Sequence, residues 1–185
     1  MDKLLPQTYL LALTGLLVIV AVLVGRQLLK VRRDEVELIK LEKVGANTSK
    51  DAADLYELAS VQLRKRLYPQ ATTTLRKALK RLDNEPSEAK ALIENALGFS
   101  LAAQEDFESA VGHYKTALKA KGDYPVALNN LAFAKQRLKQ ENEALDLYKK
   151  VLIIDPKNKT AKRQIMQLEK SNKNNLESSK DSLGF

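Results

Sequence analysis

The sequence predicts an all-α protein with a single N-terminal transmembrane helix, a solenoid of three helix hairpins and a C-terminal capping helix. Residues 4–25 contain no charged side chain. The stretch NALGFSLAAQEDFESAVGHYKTAL, which begins at Asn95, returns 34 residues later as NNLAFAKQRLKQENEALDLYKKVL, and this is the period of a helical hairpin repeat. Leu and Ala dominate while aromatic residues make up only 5% of the chain, which favours helices over strands.

The apolar segment at the N-terminus is long enough to cross a bilayer. From Leu4 to Gly25 a helix would measure about 33 Å, against roughly 30 Å for a hydrocarbon core, and Tyr9 suits one interface. A cleaved signal peptide is the alternative, but the segment exceeds a usual signal core and no A-x-A site follows it. We therefore predict an uncleaved membrane anchor over residues 1–25.

Basic residues crowd the C-terminal flank of this anchor, whereas its N-terminal flank is neutral. They are Arg26, Lys30, Arg32 and Arg33. The positive-inside rule then places the body of the protein on the cytoplasmic or stromal side. Residues 26–50 are predicted to form a basic juxtamembrane helix, which either extends the anchor or lies on the membrane, and then a linker at GANTSK.

Three hairpin units are predicted between residues 51 and 156. Their expected bounds are about 52–85, 91–124 and 125–158. The first helix of each unit carries a large residue followed by a small one, namely Leu58-Ala59, Leu97-Gly98 and Leu131-Ala132. The second unit follows the first after 39 residues, so an insertion of about five residues is expected between them.

Within a unit, small residues allow the two helices to approach closely. In the second unit Gly98 and Ala110 are expected to leave room that Phe107 and Tyr114 fill. Beyond the third unit, residues 157–170 suit a single capping helix. Residues 171–185 are polar and unpatterned and are predicted to be disordered.

The sequence offers little for catalysis. It contains no cysteine and one histidine, His113, which lies beside a packing residue and is interpreted as a packed or surface side chain. The acidic residues at 105–108 sit at a helix start, where they favour the helix dipole. No catalytic, cofactor-binding or metal site is predicted, and neither an enzyme nor a small-molecule substrate is expected.

Charge argues against nucleic acid as a partner. Residues 51–156 hold 16 basic and 15 acidic side chains, so the repeat body is almost neutral. The net charge of +8 comes from the juxtamembrane segment and the C-terminal region. We expect no nucleic-acid binding.

The repeat resembles the tetratricopeptide repeat, or TPR. The large–small pair, the aromatic-x-x-Ala spacing of Phe107 and Ala110, and the closing Asp155-Pro156 carry this resemblance. Gly122 replaces the closing proline of the second unit. The resemblance implies a protein-binding scaffold whose groove is lined by the first helix of each unit.

The candidate groove residues are those that each first helix turns away from its own partner helix. They are Tyr56, Ser60, Leu63 and Arg64, then Leu92, Asn95, Phe99 and Ala102, then Val126, Asn129, Phe133, Gln136 and Arg137. Asn95 and Asn129 are expected to stack as amides that bind a peptide backbone, and Phe99 and Phe133 as apolar anchors. The alternative is that both phenylalanines only fill core between repeats. Chaperone-tail binding is not expected, since Ala96 and other clamp positions lack the Lys, Asn and Arg combination.

Anchor, linker and repeat order together resemble the small membrane-anchored TPR proteins of cyanobacteria and algal plastids, the conserved chloroplast reading frame 37 family. RQLLKVRRDE, YELASVQLRKRLY and DPKNKTAKRQ carry this resemblance besides the repeats. That family is associated with assembly or stabilisation of photosystem I. The resemblance therefore implies a non-enzymatic scaffold in the thylakoid membrane, with photosystem I subunits or assembly intermediates as partners. The alternative is a general membrane TPR adaptor, such as a preprotein receptor or an accessory of a pilus, secretion or envelope system.

Overall fold

The computed structural model describes residues 4–47, 51–82 and 86–182. These residues form eight helices and no strands, and the chain divides into two units at residues 49 and 50. The helices are α1 (Leu4–Asn47), α2 (Ala52–Arg64), α3 (Tyr68–Leu79), α4 (Ser87–Ala102), α5 (Phe107–Ala120), α6 (Pro125–Arg137), α7 (Glu141–Ile154) and α8 (Lys159–Ser182).

The first unit is the single helix α1. Its stretch Thr8–Lys30 is long and apolar enough to cross a membrane, and none of it is buried within the chain. Tyr9 is exposed near its start and Arg26 near its end. The helix continues without interruption through Gly25 as far as Asn47, so the juxtamembrane residues extend the apolar helix rather than form a separate one.

The second unit consists of three hairpins and a closing helix. The helices pair as α2 with α3, α4 with α5 and α6 with α7, and α8 packs on α7. Each hairpin turns on one left-handed residue at an equivalent position, namely Arg66, Glu105 and Lys139, with φ of 61°, 66° and 62°. In all three turns the amide of the residue after the left-handed one donates to the carbonyl of the residue five positions earlier, with N–O distances of 2.8 to 3.1 Å. This bond closes the end of the first helix and reverses the chain.

The core of the second hairpin depends on the close approach expected from the sequence. A Cβ atom on Gly98 would lie 2.7 Å from Cε1 and 2.8 Å from Cδ1 of the Tyr114 ring. Tyr114, Leu97 and Ala110 are buried beside it. Gly98 is therefore the residue that lets the Tyr114 ring lie against the backbone of α4.

The structure differs from the sequence prediction at the start of the second unit. Helix α4 begins at Ser87 instead of near residue 91 and has 16 residues, against 13 in α2 and α6. Pro86 is the N-cap residue and makes no side-chain capping bond, whereas Glu88 lies in the first turn, where a carboxylate favours the helix dipole. Part of the expected insertion is therefore an additional helical turn rather than loop.

The C-terminal region also departs from the prediction. Helix α8 begins at Lys159 and continues to Ser182, through most of the segment predicted to be disordered; residues 183–185 lie outside the described residues. Its first turns are fixed by Asn158, whose Oδ1 accepts from the Ala161 amide at 3.0 Å, and by buried Leu168. Because nucleation is the costly step, a helix fixed at one end extends through residues that contain no proline or glycine.

Polar contacts inside the solenoid were not predicted from the sequence. Ser100 donates to the carbonyl of Tyr68 at 2.8 Å and lies 2.9 Å from the Thr72 hydroxyl. His113 Nδ1 lies 2.7 Å from Oε2 of Glu94, which is buried. The single histidine thus supplies the partner of a buried carboxylate, a packing role.

Two buried tyrosines make the repeat body sensitive to high pH. Burial raises the pKa of Tyr148 from 10.0 to about 12, against a smaller opposing effect of Arg163, and it raises the pKa of Tyr114 as well. The unfolded chain therefore loses these protons first as pH increases. The stabilisation that the raised pKa values of the two tyrosines contribute is complete below pH 10 and is lost as pH rises from 10 through 12.

We expect the free energy of unfolding, measured by urea titration with circular dichroism, to fall between pH 9 and pH 11.5. The Tyr114→Phe/Tyr148→Phe chain carries no ionisable phenol at these two sites and should retain a larger share of its pH 8 stability at pH 11. An identical fractional loss in both chains would contradict this account.

Candidate functional site

The candidate site is the groove face, the side of α2, α4 and α6 that carries the predicted contact residues. Four of its apolar members are open to solvent, with exposed fractions of 42% for Leu92, 44% for Phe99, 54% for Val126 and 41% for Phe133. Fully buried core residues such as Leu97 have 0%. The two phenylalanines thus have free ring surface in addition to their packing contacts.

Each groove phenylalanine packs against an aromatic residue of the preceding hairpin. Phe99 meets Tyr68 edge to face with ring centroids 6.5 Å apart, and Phe133 meets Phe107 in the same way at 6.3 Å. Tyr68 and Phe107 both begin the second helix of their hairpins. These contacts fix the ring positions, because an edge-to-face pair has a preferred geometry.

A cleft of about 250 Å³ lies between Phe99 and Phe133. The Arg137 guanidinium lies at its side, with its carbon 4.9 Å from the centroid of the Phe107 ring and 6.0 Å from that of Phe133. Glu105 also lines the cleft. This part of the groove face combines aromatic surface with one cation that lies at cation–π distance from two rings.

A smaller cleft of about 170 Å³ lies between the N-terminal halves of α2 and α4. Tyr56 and Leu92 line it together with small residues, namely Ala52, Ala53 and Ala89, and with Ile93. Its walls are almost wholly apolar. It extends the apolar surface of the groove face toward the first hairpin.

The two asparagines are not the equivalent pair that the 34-residue spacing predicts. Asn95 Oδ1 accepts from Nδ2 of Asn130 at 3.0 Å, whereas Asn129 Nδ2 donates to Oδ1 of Asn158 at 3.3 Å. The Asn129 Oδ1 atom is buried and accepts no hydrogen bond from the described residues. The partners differ because the residue beside Asn95 belongs to α6 of the next hairpin, whereas the residue beside Asn129 is Asn158, which caps α8.

Asn95 also contacts Tyr124, which is half-buried and lies near half-buried Tyr56. Burial raises the pKa of Tyr124, and nearby Tyr56 raises it further, while a hydrogen bond from the Asn95 side chain acts in the opposite direction. Asn95 therefore joins α4 to the start of α6. The Asn95 amide already makes contacts between repeats, so Asn95 is a poor candidate for a residue that binds the backbone of a peptide.

The remaining predicted residues have varied surroundings. Ser60 donates to the carbonyl of Tyr56 at 2.8 Å, and Gln136 Oε1 accepts from the Tyr148 hydroxyl at 3.5 Å. Arg64 is exposed at the end of α2, whereas Leu63 and Ala102 are half-buried. In the anchor, Arg32 is exposed, and Leu4 and Arg33 lie within α1.

Metal chemistry finds no support in the part of the chain that the structure describes. No group of three His, Cys, Asp or Glu side chains there could hold a metal ion. The groove face offers apolar surface, amides and a guanidinium. Such groups recognise polypeptide segments.

Stacked hairpins with a partly apolar groove define a TPR protein, a protein-interaction scaffold. A tetratricopeptide repeat family model matches residues 101–168. In the solved structure of MamA, 80% of the chain superposes on 90% of that protein with a TM-score of 0.64 at 19% identity. The second TPR domain of human RPAP3, solved in complex with an HSP70 peptide, superposes over 64% of the chain and 94% of that domain with a TM-score of 0.58 at 19% identity. At these identities the likeness shows the fold alone.

Sequence relatives define the family more narrowly. The ycf37 protein of Cyanophora paradoxa is 32% identical over 91% of this chain and 98% of its own length. The ycf37 protein of Pyropia yezoensis is 31% identical over 86% of the chain and 92% of its own length. The chain belongs to the ycf37 family, which confirms the resemblance found in the sequence.

A longer plant protein is related as well. The chloroplastic TPR protein PYG7 of Arabidopsis thaliana is 32% identical over 84% of this chain. The chain spans only about half of that relative, 51% of its length.

Proposed function

We propose that the protein is a membrane-tethered, non-enzymatic scaffold that assists assembly or stabilisation of photosystem I. In this proposal the groove face holds an exposed segment of an unassembled subunit until the subunit is incorporated. The observation that carries it is the cleft between Phe99 and Phe133, where fixed aromatic rings remain open to solvent. Membership of a plastid and cyanobacterial family and the chloroplastic relative support the photosynthetic setting.

The apolar helix supports the membrane part of the proposal. Thr8–Lys30 is long and apolar enough to cross a membrane, and in this proposal it spans the thylakoid membrane. The basic residues that begin at Arg26 near its C-terminal end favour the cytoplasm or stroma as the side of the repeats. A tether confines the groove to the membrane surface, where subunits are inserted. The effective concentration of a partner is then raised, so a weak groove contact is enough for capture.

Site-specific crosslinking in native thylakoid membranes tests this function. A photoreactive side chain at Val126, which is exposed on the groove face, is expected to recover photosystem I subunits. The same group at Ile153, which is 79% exposed on α7, serves as the matched control because α7 is a second helix of its hairpin. Translocon, pilus or envelope components at Val126 would instead establish the general adaptor, and equal recovery from both positions would exclude the groove face.

A further inference from the structure

We infer that the larger cleft binds a polypeptide segment in which one internal Asp or Glu lies beside a large apolar side chain. The apolar side chain enters between Phe99 and Phe133, and the carboxylate pairs with Arg137. This inference rests on the proposed function, because it names the chemistry of the segment that the groove face holds.

The position of Arg137 is the first argument. Its guanidinium carbon lies 4.9 Å from the centroid of the Phe107 ring and 6.0 Å from that of the Phe133 ring, which is cation–π distance from both rings. Cation–π attraction does not require the five N–H donors of the guanidinium to be paired with an oxygen. Among the described residues no carboxylate pairs with these donors.

Pre-organisation is the second argument. An exposed arginine normally loses side-chain entropy when it binds a partner, and cation–π contact with two rings removes part of that cost before binding. A planar donor group held in this way matches the two oxygens of a carboxylate. The adjacent aromatic surface accounts for an apolar neighbour in the same segment.

Glu105 limits how much negative charge the segment carries. It lines the same cleft as Arg137 and is held in a left-handed turn conformation by the hairpin. A second carboxylate would meet Glu105, and Arg137 is the one arginine among the described residues that line the cleft. One acidic side chain is therefore favoured over an acidic run.

The groove face offers an extended segment further contacts outside the cleft. Apolar surface continues from the cleft to Leu92 and Val126 and to the smaller cleft beside Tyr56. A segment that follows this surface makes several apolar contacts, and the carboxylate beside Arg137 is then one of its side chains.

Peptide selection on the full chain, reconstituted in phosphatidylcholine nanodiscs, tests the inference. A displayed library of random 12-residue peptides is expected to be enriched in sequences with Asp or Glu within two residues of Phe, Leu, Ile or Met. Selection on the Arg137→Gln chain should keep the apolar residues and lose the acidic enrichment. Absence of acidic enrichment on the unmodified chain, or of any enrichment over empty nanodiscs, would overturn the inference.

Binding of one selected peptide, acetylated and amidated, then measures the pair itself. We expect Arg137→Gln to weaken it about tenfold, as for loss of a hydrogen bond to a charged group. Arg137→Lys should lose most of this affinity although it keeps the charge. Replacing the peptide Glu by Gln should cause a similar loss, and the two changes together should cost little more than either alone.

Lys119→Gln is the control, because it removes the same charge from an exposed position on α5. An equal loss with this control, or a requirement for a free C-terminal carboxylate, would contradict the inference. Failure here is distinct from failure of the proposed function. Photosystem subunits crosslinked at Val126 without any acidic preference would leave the function standing and remove only the carboxylate site.

Discussion

Replacing Gly98 by Leu is expected to lower the free energy of unfolding of the repeat body by about 3 kcal/mol. Forcing extra methylenes into a packed core costs about 1–3 kcal/mol and occasionally more, and here the first added atom already lies 2.7 Å from a buried ring. Leu is a good helix former, so backbone propensity opposes the loss rather than adding to it. For a body of about 100 residues the melting temperature should fall by about 12 °C or more.

Gly112→Leu is the matched control. Gly112 lies on α5, is exposed, and an added Cβ meets nothing within 4 Å. The same substitution should therefore stabilise the chain, by up to about 1 kcal/mol, through helix propensity. Equal destabilisation by the two substitutions would show that the Tyr114 contact is not the cause.

The first hairpin supplies a compensating pair. It carries buried Ala59 and Leu75 where the second carries Gly98 and Tyr114. Gly98→Ala/Tyr114→Leu should therefore be less destabilised than the sum of its two single substitutions. An additive result would contradict direct contact between the two positions.

The Phe99→Ala/Phe133→Ala chain is expected to recover at least about tenfold less crosslinked partner from Val126 than the unmodified chain does. Buried aromatic anchors dominate interface energies, and each truncation of such an anchor commonly costs more than 1 kcal/mol. Because both rings are more than two-fifths exposed in the free protein, the cost to folding should be smaller than for a core phenylalanine. Thermal unfolding by circular dichroism measures that cost separately.

Ile153→Ala/Ile154→Ala is the control for general loss of apolar surface. Both residues are exposed on α7, with fractions of 79% and 39%. This chain should recover as much partner as the unmodified chain. Unchanged recovery from the phenylalanine variant, with the fold intact, would remove the aromatic cleft as the contact site.

Much of the fold was predictable because the hairpin repeat requires particular side-chain sizes at particular spacings. Leu97-Gly98 and the helical pattern around Tyr114 predicted which faces pack, since a single hairpin cannot bury its own apolar face. Phe99, Phe133 and Arg137 were placed on the groove face from the same periodicity, and their use as a contact site remains a proposal. Boundaries were less predictable, because the start of α4 at Ser87 depends on its local residues, Pro86 and Glu88, rather than on the repeat.

The two asparagines show where periodicity fails. Asn95 and Asn129 have equivalent positions in the sequence, but a hydrogen bond depends on which residue lies opposite, and that differs between a following repeat and a cap. The pair of Glu94 with His113 was missed for the same reason. Nineteen residues separate the two partners, and no spacing rule relates them.

The sequence by itself determined that this protein is an apolar helix followed by stacked TPR hairpins, because hydrophobic length and a 34-residue period depend only on local order along the chain. It also determined the family. Only the tertiary structure decided which side chains of the groove face are free to bind, because packing between repeats uses some of them and leaves others. It directed Asn95 and Asn129 to their neighbours and placed Arg137 on two aromatic rings, contacts that depend on three-dimensional adjacency alone.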